Sequence, residues 1–317
     1  MIKLDIDDKG PLTVLHPAML RAVFFAGDQN GWAVGDGGTV VHTTDGGESW
    51  NASIVNPKAD LYTVFFIDAQ RGWIGGSLLG KEVVYDTQDG GASWRREVRL
   101  GDFHLSSVMG IWFVDAQHGW IAAFAEDHTD GLGLVFQTGD GGKRWSQTYA
   151  GQYKNGLLAI KFLDQEHGWA IATDTILYTK DGGKNWLVQS RASQQPQDIL
   201  FGLDFLSPSD GWAVGGMYAG EVLHTSNAGE TWNSIPVPGT QKLPSGEETL
   251  FTTSVKFVNP SEGWIGSSDG AILSTEDGGK TWTVGSTGTS QTTSSVAVTS
   301  RAVFAVGTEG KILRRLR

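Results

Sequence analysis

Short apolar segments alternate with polar turns along the chain, and their order repeats. Runs such as AVFFAG (22–27), TVFFID (63–68) and AIKFLD (159–164) each precede a polar turn, and a second apolar run then starts at a Gly-Trp pair. β-branched and aromatic residues bounded by Gly, Asp and Asn are typical of strands and tight turns. No stretch has the 3.6-residue periodicity of an amphipathic helix. The pattern predicts an all-β protein.

Two coupled motifs define the repeat. The Gly-Trp pair occurs six times, with its tryptophan at Trp32, Trp73, Trp120, Trp169, Trp212 and Trp264. A Thr-x-Asp-Gly-Gly-x-x-Trp motif, the Asp box, follows each pair at 43–50, 87–94, 138–145, 179–186, 225–232 and 275–282. Periods of about 40–50 residues with several strands each are typical of propeller blades. Each unit is interpreted as four antiparallel strands, with the Asp box between the third and the fourth.

A seventh unit completes the count. Residues 294–317 supply three strands without an Asp box, and Phe304 stands where the other units have tryptophan. We expect LTVLHP (12–17) to provide the fourth strand, so that the two termini share one blade and no open sheet edge remains. The sequence therefore predicts one domain, a seven-bladed β-propeller over 1–317, with blades at about 19–56, 60–99, 106–149, 156–190, 198–236, 250–286 and 294–317 plus 11–17.

The Asp box is interpreted as a structural turn. Its carboxylate can accept backbone amides, its second glycine is expected to need a positive φ, and its tryptophan is expected to pack between blades. In the fifth box, Asn227 and Ala228 replace Asp and the first Gly, while Gly229 is retained. The residues assigned this role are Asp45, Asp89, Asp140, Asp181, Asn227, Asp277, Trp50, Trp94, Trp145, Trp186, Trp232 and Trp282.

Composition and charge exclude several classes of function. The net charge of −11 argues against a general affinity for nucleic acids or anionic membranes. Cysteine is absent, which excludes disulfides, thiolate metal sites and cysteine nucleophiles. No segment is long and apolar enough to be a spanning helix, and the start of the chain has no signal-peptide pattern. An extracytoplasmic location would thus require that a signal had been removed.

The coupled Gly-Trp and Asp-box motifs resemble those of the bacterial neuraminidase repeat propellers, and in particular the photosystem II stability and assembly factor-like family. The resemblance covers residues 19–317. It implies a seven-bladed propeller without known catalysis that helps to assemble a membrane protein complex from the lumenal or periplasmic side. It also implies an arginine patch, for which the candidates are Arg95, Arg96, Arg99, Arg314, Arg315 and Arg317.

Propeller geometry separates the connections into two faces. The Asp boxes and the turns before Gly-Trp share one face, here called the Asp-box face. The opposite face, here called the loop face, has connections of unequal length at 99–106, 124–133, 148–156, 190–198, 216–221 and 236–249. Loops on a rigid scaffold are common binding elements, so we expect a protein partner to bind there. Candidate contacts are Tyr149, Tyr153, Met217 and Tyr218, with Arg95, Arg96 and Arg99.

A carbohydrate-active or carbohydrate-binding propeller is the alternative to a protein-binding scaffold. A sialidase needs an arginine triad, and Arg21 is the single arginine at the start of a predicted inner strand. A glycosidase needs two carboxylates about 5–10 Å apart. We therefore expect no catalytic residues and no enzymatic activity, and we predict a monomer that binds a subunit of a membrane complex.

Metal and channel sites are weaker hypotheses. Asp102, His104, Asp127 and His128 lie on connections of the loop face and have chemistry suited to a divalent ion, but an acidic solvated loop explains them as well. We expect neither a metal nor a cofactor. Alignment of the first strands places Phe24, Phe65, Trp112, Lys161, Asp204, Lys256 and Ala297 at one position. The Lys-Asp-Lys order favours ion pairing between blades over a channel that binds an anion or a sugar.

Overall fold

The computed structural model describes residues 18–96, 100, 105–126, 131–152, 156–191, 199–216, 221–237, 251–285 and 292–317. These residues form 27 β-strands and two short 3-10 helices, Asp36–Gly38 and Thr308–Gly310. The first three blades contain β1 Leu20–Ala26, β2 Asn30–Gly35, β3 Thr39–Thr43, β4 Asn51–Ile54; β5 Ala59–Phe66, β6 Gly72–Leu78, β7 Lys81–Thr87, β8 Arg95–Arg96; β9 Leu105–Phe113, β10 Gly119–Ala125, β11 Leu132–Thr138, β12 Ser146–Gln152.

The remaining blades follow the same order. Their strands are β13 Leu157–Phe162, β14 Gly168–Ala172, β15 Thr175–Thr179, β16 Leu187–Arg191; β17 Leu200–Phe205, β18 Gly211–Gly215, β19 Glu221–Thr225, β20 Asn233–Pro236; β21 Thr252–Phe257, β22 Gly263–Ser267, β23 Ile272–Thr275, β24 Thr283–Gly285; β25 Thr293–Val298, β26 Ala302–Gly307, β27 Ile312–Leu316.

Each sheet is an antiparallel meander in chain order. Strands β1, β5, β9, β13, β17, β21 and β25 each contact the equivalent strand of the next blade, and β1 contacts β25, so that the innermost strands close a ring. The prediction of an all-β, seven-bladed propeller is confirmed. Six sheets have four strands, and the described part of the seventh has three. The fourth strand predicted for that blade, at 12–17, lies outside the described residues.

The Asp box folds as a compact turn held by two side chains. In the first box, the Thr43 hydroxyl accepts the Gly47 amide at 2.9 Å and donates to Asp45 Oδ1 at 2.7 Å. The same Asp45 oxygen accepts the Ser49 amide at 2.9 Å. The predicted role of the carboxylate as an acceptor is thus confirmed. The part played by the buried threonine was not foreseen, although the residue is present in all six boxes.

The second glycine of each box has the expected positive φ, but the requirement is not confined to it. Both glycines of the intact boxes have it, for example 74° at Gly182 and 90° at Gly183. In the fifth box, Ala228 adopts φ 61° at the first of these positions. A Cβ in this left-handed region is crowded by the neighbouring carbonyl group, which costs about 1–2 kcal/mol. The fifth turn is therefore a strained copy of the others.

Aromatic rings join neighbouring blades. The tryptophan of each of five Gly-Trp pairs stacks on a phenylalanine at the end of the next blade's innermost strand, with ring centroids 3.5–3.8 Å apart. The Asp-box tryptophan of that next blade meets the same phenylalanine edge-on at 5.8–6.0 Å. The three rings bury apolar area between the sheets, and each edge-on pair adds about 0.5–1.5 kcal/mol. The predicted interblade position of the box tryptophans is confirmed.

The seventh blade uses other residues at both of its interfaces. Phe304 replaces the tryptophan and stacks on Phe25 of blade one at 4.3 Å. On the other side, the Arg317 guanidinium lies over the Trp264 ring of blade six at 5.1 Å from its centroid. The last blade thus meets blade one through stacked aromatic rings, as elsewhere in the propeller. At its interface with blade six, a cation–π contact replaces the aromatic pair.

Candidate protein-binding face and central channel

The two faces of the propeller differ as the sequence predicted. On the Asp-box face, each first-to-second turn accepts a hydrogen bond from the first glycine of its own blade's box, as in Gly46 N to Gln29 O at 2.9 Å. The equivalent bond from Ala228 N to Ser209 O is kept at 3.0 Å. This face is therefore a nearly uniform set of mutually bonded turns, and variation between blades is concentrated at the other end.

On the loop face, the described residues include an exposed hairpin tip in blade two. Leu79 follows β6, has φ 54°, and leaves 74% of its surface exposed. Positive φ is uncommon for a bulky residue, and a large apolar side chain held outward by a strained turn is a typical contact element of an interface. Sequence reasoning missed Leu79, because nothing in its local sequence distinguishes a protruding tip from a covered one.

The predicted contact Tyr149 lies within a strand. Strand β12 continues to Gln152, so residues 148–152 are not the loop that was expected. The Tyr149 ring is partly buried and lies 6.1 Å from the Trp186 ring of the next blade. The other candidates on this face, Arg99, Asp102, His104, Asp127, His128, Tyr153, Met217 and Tyr218, lie outside the described residues.

The arginine candidates occupy separate blades. Arg95 and Arg96 form the outermost strand of blade two, where Arg95 pairs with Asp86 at 2.7 Å. In blade seven, Arg314 lies 4.0 Å from Glu48 of blade one, and Arg317 pairs with Glu262 of blade six. The two groups do not converge on one patch, because blade one separates them. Both Arg314 and Arg317 make contacts between blades.

A bulge recurs in all seven innermost strands, close to the end where each strand enters from the loop face. The residue at the bulge, close to the loop-face mouth of the channel, is partly exposed in each blade: Arg21, Tyr62, Met109, Leu158, Phe201, Thr253 and Ser294. The Arg21 guanidinium lies 5.2 Å from the centre of the Tyr62 ring and pairs with Asp36. A bulge re-aims side chains, so this mouth could not be read from strand alternation.

Deeper in the channel, the register of the inner strands is as predicted. Each residue aligned with Lys161 faces the Gly-Trp tryptophan, or Phe304, of its own blade. The buried Lys161 ammonium pairs with Asp204, and Lys256 Nζ lies 3.6 Å from the same carboxylate. The predicted pairing between blades is confirmed.

The charges of this cluster are set by burial and by each other. Burial lowers the pKa of Lys161 to about 8, and the nearby Lys256 ammonium acts in the same direction, against the attraction of Asp204. Burial opposes ionisation of Asp204, but Lys161 and Lys256 outweigh it and lower the pKa of that carboxyl. The attraction between them thus favours the ionised form of Asp204 and opposes loss of the proton from Lys161.

The residues that the structure describes contain no group of three or more His, Cys, Asp or Glu side chains that could hold a metal ion. None of their helices is both long and apolar enough to cross a membrane.

Comparison with known proteins decides the family. The profile of the family described as "Photosynthesis system II assembly factor YCF48" matches residues 12–146 and 148–255. The chain belongs to this family. The YCF48 profile thus covers the first five blades and the segment predicted to complete the seventh.

Relatives in the YCF48 family are similar to this chain at low identity. The photosystem II assembly lipoprotein Ycf48 of Synechococcus sp. (strain CC9902) is 24% identical over 255 residues, which span 78% of this chain and 72% of that protein. The chloroplastic photosystem II stability/assembly factor HCF136 of Oryza sativa subsp. japonica is 31% identical over 131 residues, but that match spans only 29% of the rice protein.

Solved structures support the fold. A structure described as YCF48 bound to D1 peptide has a TM-score of 0.74 and 19% identity, over 99% of this chain and 97% of that chain. A GH74 xyloglucanase from Xanthomonas campestris has a TM-score of 0.70 and 13% identity, but the match covers 52% of the enzyme chain. At these identities the likeness shows a shared propeller.

Proposed function

We propose that this protein is a non-enzymatic scaffold that binds a subunit of a membrane protein complex during its assembly, on the extracytoplasmic side of the membrane. The observation that carries the proposal is the YCF48 family match across residues 12–146 and 148–255. Relatives are named as photosystem II assembly or stability factors, some of them as lipoproteins, and a YCF48 of the same fold was solved with a D1 peptide.

The geometry favours the loop face as the binding surface. On the Asp-box face, backbone amides and the box carboxylates form bonds within and between turns, and this arrangement is nearly the same in every blade. The loop face presents Leu79 and the partly exposed ring of bulge residues around the channel mouth. Exposed apolar and aromatic groups close to a cation are typical of interface cores.

A glycosidase is less well supported by the described inner strands. Their acidic residues are Asp60 and Asp204. Asp204 is buried and paired with two lysines, which makes it a poor proton donor, and Asp60 accepts the Gly37 amide at 3.2 Å. A hydrolytic pair would need one carboxyl that stays protonated and a second one nearby.

The test is site-specific photo-crosslinking. A photoreactive amino acid is placed at Leu79 on the loop face and, as the matched control, at exposed Glu230 on the Asp-box face. Each variant is incubated with detergent-solubilised membranes from the source organism. We expect one membrane-complex subunit to be captured from Leu79 and not from Glu230. Capture from Glu230 alone, or from neither position, contradicts the proposal.

A further inference from the structure

Counted over the described residues, the channel ring defined by Phe24, Phe65, Trp112, Lys161, Asp204 and Lys256 has one more positive than negative charge. Among the described residues, Asp204 is the sole carboxylate within 4.0 Å of either ammonium group. Two cations therefore share one anion in a chain whose overall charge is −11. Ion pairing explains Lys161 and Asp204, but not why a second lysine is placed beside them.

Lys256 differs from its partners in exposure. The side chains of Lys161 and Asp204 are 8% and 3% exposed, whereas that of Lys256 is 36% exposed. Lys256 lies on β21, an innermost strand that contacts the innermost strands β17 and β25 of the neighbouring blades. The ammonium of Lys256 is thus the accessible end of the cluster, and it carries the excess charge.

Aromatic rings occupy the same level of the channel. Phe24 and Phe65 have ring centroids 5.0 Å apart, and Phe65 and Trp112 are 5.2 Å apart. Lys161 Nζ lies 5.1 Å from the centre of the Trp112 ring. Rings of three successive blades therefore lead to the charged cluster of the next three, and Phe24 and Trp112 are partly exposed. A channel ring that carries both cationic and aromatic side chains suits an anion with an apolar body.

We propose that this ring binds a monocarboxylate with an apolar or aromatic body, its charge on the Lys256 ammonium and its body against the aromatic arc. A single excess charge matches a monoanion, whereas a phosphate dianion would leave one negative charge unbalanced beside Asp204. The carboxylate comes either from a free organic acid or from the carboxyl terminus of a peptide. Lys256 is the next-to-last residue of β21, toward the Asp-box face, so this site is separate from the mouth on the loop face.

Calorimetric titration with 3-phenylpropionate in a low-chloride buffer tests the site. Binding with Kd on the order of 1 mM is expected for one ion pair and one apolar contact. The neutral analogue 3-phenylpropanol should bind at least about tenfold more weakly, because a change of about 1.4 kcal/mol is a factor of ten. Two peptides ending in phenylalanine, one with a free carboxyl terminus and one amidated, distinguish the two sources of the carboxylate.

Variants locate the binding. Lys256→Met should weaken 3-phenylpropionate binding at least about tenfold and Lys256→Arg should keep it, while Lys280→Met in the sixth Asp box is the matched control. Trp112→Leu should weaken 3-phenylpropionate more than butyrate. Equal affinity of the parent protein and Lys256→Met overturns the proposal, as does lack of binding by every carboxylate. Photo-crosslinking from Leu79 should not change in Lys256→Met, so failure of this site is distinguishable from failure of the scaffold.

Discussion

Arg317 holds the Trp264 indole of the preceding blade beneath its guanidinium, 5.1 Å from the ring centre. It also pairs with Glu262 and donates to the Thr299 carbonyl at 2.9 Å. In the other blades this interface is closed by a phenylalanine and an Asp-box tryptophan, neither of which the last blade has at these positions. Arg317 is therefore part of the ring closure.

Arg317→Ala should lower the free energy of unfolding by about 1–2 kcal/mol, because a partly buried cation–π contact and an ion pair are lost together. Urea denaturation followed by tryptophan fluorescence measures the change. Arg301→Ala, an exposed arginine of the same blade, is the control and should have little effect. Equal effects of the two substitutions would show that Arg317 does not contribute to closure.

Ala228→Gly should stabilise the protein by up to about 1 kcal/mol, since it removes a side chain from a left-handed position at some cost in unfolded-state entropy. The reciprocal control is Gly182→Ala in the fourth box, where φ is 74° and a Cβ would lie 2.8 Å from the Gln165 carbonyl. It should destabilise by about 1 kcal/mol or more. Thermal unfolding of both variants tests the pair, and a less stable Ala228→Gly contradicts the assigned strain.

The Gly-Trp indoles allow a matched comparison. Trp32 Nε1 donates to the Gly90 carbonyl of the next Asp box at 2.8 Å, whereas Trp169 Nε1 is buried without a partner among the described residues. In the fifth box Gln189 donates to the equivalent carbonyl, that of Ala228. Trp32→Phe should therefore cost about 1–2 kcal/mol more than Trp169→Phe. Chemical denaturation measures the free energy of unfolding of both variants. Equal losses would show that the hydrogen bond from the Trp32 indole makes no net contribution to stability.

The Asp boxes should make stability depend on acid pH. Hydrogen bonds from Thr281 and its backbone amide lower the pKa of Asp277 to about 2, below the usual 3.8. Folding therefore favours the carboxylate. This contribution is complete above about pH 5, where the unfolded chain is also ionised, and it is lost as pH falls to about 2. Asp277→Asn should reduce the loss of stability between pH 5 and pH 2, and Asn227→Asp in the fifth box should increase it. Urea midpoints across this range measure both, and unchanged slopes contradict the prediction.

Substitutions at the two ends of the buried charge cluster should lower the free energy of unfolding by unequal amounts. Asp204→Asn leaves the Lys161 ammonium buried beside Lys256 without a carboxylate, which should cost about 3–5 kcal/mol. Lys256→Met should cost less than about 1 kcal/mol, because Asp204 keeps its buried partner and Lys256 is partly solvated. Denaturant unfolding of the two variants is the measurement. A larger effect for Lys256→Met would mean that the cluster is a single structural unit.

The repeat and its turns could be predicted from sequence because they depend on neighbours in the chain. Six Gly-Trp pairs together with the terminal strands implied seven blades, and the Thr-x-Asp-Gly-Gly pattern implied a turn, since both arise from strand alternation and local hydrogen bonds. The alignment of Lys161, Asp204 and Lys256 followed from the same periodicity. Sequence alone thus determined the propeller, the orientation of its two faces and the pairing of opposite charges.

The tertiary structure determines which residues of neighbouring blades come into contact. Neighbouring blades determine that Arg317 contacts Trp264 and that Ala228 has a positive φ. They also determine that Lys256 stays partly exposed while Lys161 is buried. The bulge that recurs near the channel mouth in every innermost strand also has no recognisable pattern in the local sequence. Ring closure brings residues far apart in sequence into contact, and burial and packing at those contacts are properties of the assembled sheets rather than of any one segment.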